Sequence, residues 1–173
     1  MTIRENIKEE ARKLAICALY SSKGHFYAAE YWKRLHYCLG IPLTIISAIG
    51  VYCSFEPIGH TLSCAVFVFS SLLTFLNTQK NRDLHFYSGE LYDELYNQTR
   101  QFMRIECAEE FDQTDEELKF KLDRLYDRKY KLDKFSLQIP KRAYEKAKKG
   151  IKQGEGDRKS TRLNSSHEFV SRM

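Results

Sequence analysis

Between Leu35 and Thr78 the chain carries one formally charged residue, Glu56, whereas charge is spread through the first 34 residues and again after Lys80. A run of this length with so little charge is the primary signature of a membrane segment. It outweighs the negative mean hydropathy of the whole chain, -0.51. Glu56 and Pro57 divide the run into two stretches of 21 residues, Leu35 to Phe55 and Ile58 to Thr78. At 1.5 Å rise per residue each helix reaches about 30 Å, the hydrocarbon thickness of a bilayer. So short a connection leaves the two helices antiparallel and in contact. Pro42 lies near the start of the first stretch. Tyr31, Trp32 and Tyr37 at one end, with Tyr52 and His60 at the other, are placed as interfacial belts. Lys33 and Arg34 precede the hairpin and Lys80 and Arg82 follow it, while the turn has no Lys or Arg. The positive-inside rule then puts both termini in the cytoplasm.

The flanking segments read as helices. Ile7, Ala11, Leu14, Ala18, Ser21, His25, Ala28, Trp32 and Leu35 alternate steps of four and three, which places them on one seam of an amphipathic helix running into the first span. Gly24 interrupts that pattern and is expected to loosen it. After Lys80, the residues Leu84, Leu91, Leu95, Phe102 and Ile105 mark an apolar face, followed by a break at Glu110 to Gln113. Thr114 with Glu117 reads as a capping box opening a further helix through Leu118, Leu122, Leu125 and Leu132 towards Ile139, which Pro140 bends or ends. A basic, potentially helical segment runs from Lys141 to Lys152, and no internal repeat is apparent. The fold class expected is all-α and membrane-integral. Residues 1–34 form an N-terminal amphipathic helix, 35–78 a two-helix transmembrane hairpin (35–55 and 58–78), and 79–156 a cytoplasmic helical hairpin.

Residues Asp157 to His167 read DRKSTRLNSSH, like the translation of a sequencing adapter, so 157–173 are treated as a non-native scar. Without Arg158, Lys159, Arg162 and Arg172 against Asp157 and Glu168, the net charge falls from +5 to +3. That excess is too weak to argue for a nucleic-acid partner. Cys17, Cys38, Cys53, Cys64 and Cys107 are scattered, with no CxxC spacing, against a secreted disulfide framework. The charged N-terminus has no apolar core of a cleavable signal.

Each span has a stripe of small and polar residues: Gly40, Thr44, Ser47, Gly50 and Ser54 in the first, Gly59, Ser63, Ser70, Thr74 and Asn77 in the second. Small residues let helix backbones approach and hydroxyls bond between helices, which is a packing role. The functional reading is that one stripe lines the water-filled lumen of an oligomer. Both readings stand, and both can hold together. Glu56 is either a solvated turn carboxylate or part of a carboxylate ring at the pore mouth. His25, His36, His60 and His85 form no HxxxH or HExxH pair, so neither a metal nor another cofactor is expected. With no nucleophile-base constellation and no phosphate loop, an enzyme is not expected.

The segment from Glu9 through EEARKLAICALYSSKGHFYAAEYWKRLHYCLGIPLTIISAI, the span ending FSSLLTFLN, and HFYSGELYDELYNQTR resemble the SLATT domain. The likeness covers roughly residues 5 to 145. Its most telling pieces are His25, Tyr27 to Trp32, Leu39 to Pro42, and Leu84 to Tyr96. SLATT proteins are bacterial two-span effectors associated with nucleotide-synthesising and nucleotide-sensing modules. The resemblance implies an antiphage effector of the bacterial inner membrane that forms a homo-oligomer. On a signal from a nucleotide-signalling partner it opens or disrupts the bilayer. It supplies no catalytic residues. The alternative, from another class, is a membrane-anchored helical scaffold for a cytoplasmic protein.

Overall fold

The computed structural model describes residues 2–52, 57–107 and 114–153. Every element among them is a helix: α1 (Ile3–Tyr52), α2 (Pro57–Leu76), α3 (Thr78–Gln101), a π-helical turn (Phe102–Glu106), α4 (Asp115–Phe135) and α5 (Lys141–Lys152). The all-α expectation holds. One helical stretch among the described residues, Gly59–Ile105, is long and apolar enough to cross a membrane, and almost none of its apolar window is buried. The first apolar run, Leu35 to Phe55, extends past the described end of α1.

The seam expected in α1 is the buried face of the bundle. Ile7, Ala11, Leu14, Ala18, His25 and Ala28 are all buried, while Lys8, Glu9, Arg12 and Lys13 look outward. Periodicity near 3.6 residues produces this, because steps of three and four keep one stripe aligned. Ile7, Ala11 and Leu14 close a core cluster with Phe102, Cys107, Leu118 and Leu122, and Ala18 joins Tyr92 and Leu95 in a second.

Antiparallel α3 packs along α1, joined at His36 Nδ1 to Thr78 Oγ1 (2.9 Å) and at His25 to His85. Its buried face differs from the one expected. Leu95 and Phe102 are buried, but Leu84 and Ile105 are exposed, and the seam is filled by His85, Ser88, Gly89, Tyr92 and Thr99. Small side chains here let the two helices approach. A Cβ on Gly89 would sit 3.0 Å from two Phe26 ring atoms.

α4 starts at the predicted capping box: Thr114 Oγ1 accepts from the Glu117 amide, and the Glu117 carboxylate accepts from the Thr114 amide. Arg4 faces Asp115 at 3.9 Å and the Tyr126 hydroxyl donates to Glu10 at 3.2 Å, so α4 runs in the direction of α1. Arg128 joins α4 to α3, its two terminal nitrogens donating to Gln98 and Glu94, each at 2.6 Å. The helix stops at Phe135, earlier than expected, and residues 136–139 leave the helical conformation ahead of Pro140. Proline disfavours helix in the residue before it. The departure also lays Ile139 onto Gly24, whose added Cβ would meet Ile139 Cδ1 at 3.0 Å. Gly24 therefore seats a distant side chain instead of loosening α1. The segment after Pro140 is helical, as α5, and rests Ala143, Ala147 and Gly150 against the bundle. The expected cytoplasmic hairpin is thus a four-helix arrangement in which α1 itself takes part. The expected break at Glu110 to Gln113 lies outside the described residues.

Replacing Gly89 with leucine should lower stability by about 1–3 kcal/mol, because the added carbons overpack against Phe26. Gly40→Leu, where an added Cβ meets nothing within 4 Å, should leave the detergent-solubilised chain's melting temperature nearly unchanged. Thermal unfolding followed by circular dichroism compares the two.

Candidate functional site

Two places in the molecule bring chemistry-bearing side chains together. In the apolar hairpin the predicted hydroxyls do not reach across to the other helix. Thr44 Oγ1 donates to Gly40 O (3.0 Å), Ser47 Oγ to Leu43 O (2.7 Å) and Ser63 Oγ to Gly59 O (2.8 Å). Ser70 Oγ donates to Phe67 O (3.0 Å) and Thr74 Oγ1 to Ser70 O (2.9 Å). Each hydroxyl proton is satisfied by its own helix, so the oxygens can face lipid, water or another copy without leaving an unpaired donor. Thr44, Ser63 and Thr74 are exposed, while Ser47 and Ser70 are half-buried. The glycines of the same stripes separate: Gly59 is buried and a Cβ on Gly50 would touch Leu62 at 3.7 Å, whereas Gly40 faces open space. Packing thus belongs to Gly50 and Gly59, while Thr44, Ser63 and Thr74 stay available. Ser54 and Glu56 lie outside the described residues.

Asn77 does not continue the stripe. It stands between α2 and α3 at φ 43°, ψ 48°, in the left-handed region that asparagine tolerates better than most residues. The second apolar helix therefore ends at Leu76, and Thr78, expected as the last residue of the span, opens α3 as a buried residue. Asn81 Nδ2 donates to Leu76 O at 3.0 Å, occupying a carbonyl that the end of α2 would leave open.

The second place lies in the bundle formed by α1, α3, α4 and α5 and was not expected. His25 and His85 are 2% and 3% exposed, and their Nδ1 atoms are 2.9 Å apart. A hydrogen bond between these two nitrogens requires one imidazole to carry its proton on Nδ1 and the other to leave Nδ1 bare. The two rings must hold opposite tautomers. Tyr92 stacks on His25 at 5.5 Å between centroids, and its hydroxyl donates to Asp133 Oδ1 at 2.6 Å. Burial holds the His25 pKa down to about 4, with the nearby His85 adding to the effect, and burial also lowers that of His85. Burial, reinforced by the bond to Asp133, pushes the Tyr92 hydroxyl above its ordinary value. Desolvation likewise raises the Asp93 carboxyl, opposed by Lys23. The two imidazoles are thereby held towards their neutral forms and joined through one Nδ1 proton. Among the described residues no three His, Cys, Asp or Glu side chains are grouped to hold a metal ion.

A sequence signal for this junction exists. His25-Phe26-Tyr27 recurs as His85-Phe86-Tyr87, each followed by two small residues and a glutamate. The copies meet like against like: His25 with His85, and Phe26 with Phe86 edge-on at 5.6 Å between centroids. Two antiparallel helices carrying the same short pattern pair in this way around a local two-fold axis. The α1–α3 pair thus carries a short recurrence, where the sequence had suggested no repeat.

No family model matches the chain, and neither does any curated protein or solved structure.

Between pH 6.5 and about 4 the unfolded His25 imidazole binds a proton that the folded one refuses, so stability falls as the pH falls. The loss should total about 3 kcal/mol across that window. Replacing both histidines with leucine should flatten this part of the profile. Denaturation midpoints measured at pH 4.5, 5.5 and 7 check it, and an unchanged slope in the double variant would count against the assignment.

Proposed function

We propose that this chain is a two-span effector of the bacterial inner membrane, with both termini cytoplasmic. In this reading it assembles as a homo-oligomer and opens or disrupts the bilayer when a nucleotide-signalling partner engages its cytoplasmic helices. The observation that carries the reading is α1. It is one unbroken helix of 50 residues whose first half is packed by α3, α4 and α5. Its second half exposes Ile41, Ile45 and Ile49. A continuous rod of this kind transmits a displacement in the bundle directly into the apolar half.

The uncovered apolar surface supports the membrane part of the proposal. Phe67 is 72% and Phe75 91% exposed, together with Val68 and Leu72. Contiguous apolar area of this kind is unfavourable in water and calls for lipid or further copies of the chain. The exposed, self-satisfied hydroxyls of Thr44, Ser63 and Thr74 suit a surface that alternates between lipid and water. The trigger by a nucleotide-signalling protein, and the antiphage role, rest on the resemblance to the SLATT domain. The scaffold alternative is favoured by one observation, the exposed aromatics Phe120, Tyr130 and Phe135 on α4, which would suit a protein partner.

High-level expression in bacterial cells loaded with a potential-sensitive dye should depolarise them, and reconstituted protein should release dye from liposomes. Replacing Thr44 and Thr74 with valine and Ser70 with alanine should cut the leak several-fold without loss of membrane insertion. A chain that inserts, binds a cytoplasmic protein and never leaks would leave the scaffold standing instead.

A further inference from the structure

α5 has six basic side chains in twelve residues, Lys141, Arg142, Lys146, Lys148, Lys149 and Lys152, against a single acid, Glu145. The way it docks decides where that charge goes. Ile139 sits on Gly24 and the Tyr144 ring lies 6.4 Å from that of Tyr20. Further on, Lys146 Nζ lies 4.4 Å from the centre of the Tyr27 ring and 3.4 Å from Glu30 Oε2. Within α5 itself, from Tyr144 to Lys146, the contacts move from Tyr20 to Tyr27 and Glu30, towards the apolar half of α1. Ala143, Ala147 and Gly150, spaced four and three apart, keep the two helices together along the way.

From the level of Glu30, six further residues of α5 rise about 9 Å, which brings its last turn level with the start of the apolar run at Leu35. Lys148, Lys149 and Lys152 in that stretch are exposed. The same level holds Lys33 on α1 and, through the His36–Thr78 contact, Lys80 near the start of α3. Both of these are exposed too.

We propose that the last turn of α5, with Lys33 and Lys80, forms a basic collar at the cytoplasmic face that gathers anionic lipid headgroups around the hairpin. This rests on the membrane-spanning reading. The chemistry is that of ammonium groups near a phosphate-bearing surface: each cation within reach of the headgroups adds attraction that falls off within a Debye length. Burying the small residues of α5 fixes the lysines at that surface, where a free basic tail would leave them mobile. A last turn rich in cations also matches the negative end of the helix dipole. The partner is the bilayer itself and not a soluble acidic protein, because the charge is concentrated where the apolar surface begins.

Trp32, the sole tryptophan, lies two residues beyond Glu30 and reports on the lipid beside the collar. The full chain is reconstituted in vesicles of phosphatidylcholine and phosphatidylglycerol in which either one or the other lipid is brominated near the headgroup, at equal mole fraction. Brominated phosphatidylglycerol should quench Trp32 several-fold more than brominated phosphatidylcholine, and the excess should shrink at high salt. Lys148→Gln, Lys149→Gln and Lys152→Gln together should abolish the excess, and the three arginine replacements should keep it. Equal quenching by the two lipids in the unaltered chain overturns the collar and leaves the membrane reading intact. An excess that survives the glutamine variant also overturns the assignment to α5. No quenching by either lipid overturns the membrane reading together with the collar.

Discussion

The close approach of α1 and α3 is the constraint on which the remaining packing depends. Ala28 and Ala29 on one helix and Ser88 and Gly89 on the other are buried where the two antiparallel helices meet. Small residues at these positions bring the backbones near enough for two imidazoles to share a proton at 2.9 Å. Both rings then lose water, which is costly for the charged form and tolerable for the neutral one. The junction therefore sets a register, since sliding either helix by one residue would leave two buried ring nitrogens unpaired. An unpaired buried polar group costs more than a typical hydrogen bond contributes, so the penalty for misregister exceeds the benefit of correct pairing.

Once that register is set, the other helices have few choices. Tyr92, one turn beyond Gly89, reaches Asp133 on α4, and Arg128 reaches back to Glu94 and Gln98. Lys129 and Asp133 pair along α4 itself, whereas Arg128 spans two helices. An arginine fork with two acceptors fixes orientation as well as distance. α5 follows from the same frame, because Ile139 needs the space above Gly24 and Pro140 then starts the helix that carries the basic charge along α1.

How much of this could be read from the residues depends on whether the buried positions are apolar. The α1 seam was legible, as were the capping box at Thr114, a helical stretch after Pro140, and the all-helical class, since each leaves a periodic or positional trace. The α3 face was misplaced because His85, Ser88, Gly89 and Thr99 score as surface residues, while Leu84 and Ile105 score as core. Polar residues become core only when a partner is present, and the partner of His85 lies sixty residues away. The recurrence of His-Phe-Tyr was visible but too short to stand out without the knowledge that its two copies touch. Gly24 was misread for a related reason: the side chain that needs its missing Cβ, Ile139, comes from the segment beyond α4. Within the hairpin, the stripes were recognisable, but periodicity could not separate Gly50 and Gly59, which pack, from Gly40 and the hydroxyls, which do not.

The two legs of the hairpin are built differently, and this follows from one residue. α1 passes from the bundle into its apolar half without a break, so its apolar half turns only if the packed half turns. α2 joins α3 through Asn77, whose left-handed backbone is unfavourable for a residue with a Cβ and is held by its surroundings. Asn81 closes the carbonyl that this break exposes, and Thr78 is buried just beyond it against His36. The bend is consequently a fixed joint tied to α1 on one side and to the bundle on the other. A rotation of α3 about its own axis would act on the His36–Thr78 contact first and on the direction of α2 next, while leaving α1 straight. A change in the packing around His25 and His85 therefore has two routes into the apolar helices, along the unbroken α1 and through the Asn77 joint into α2.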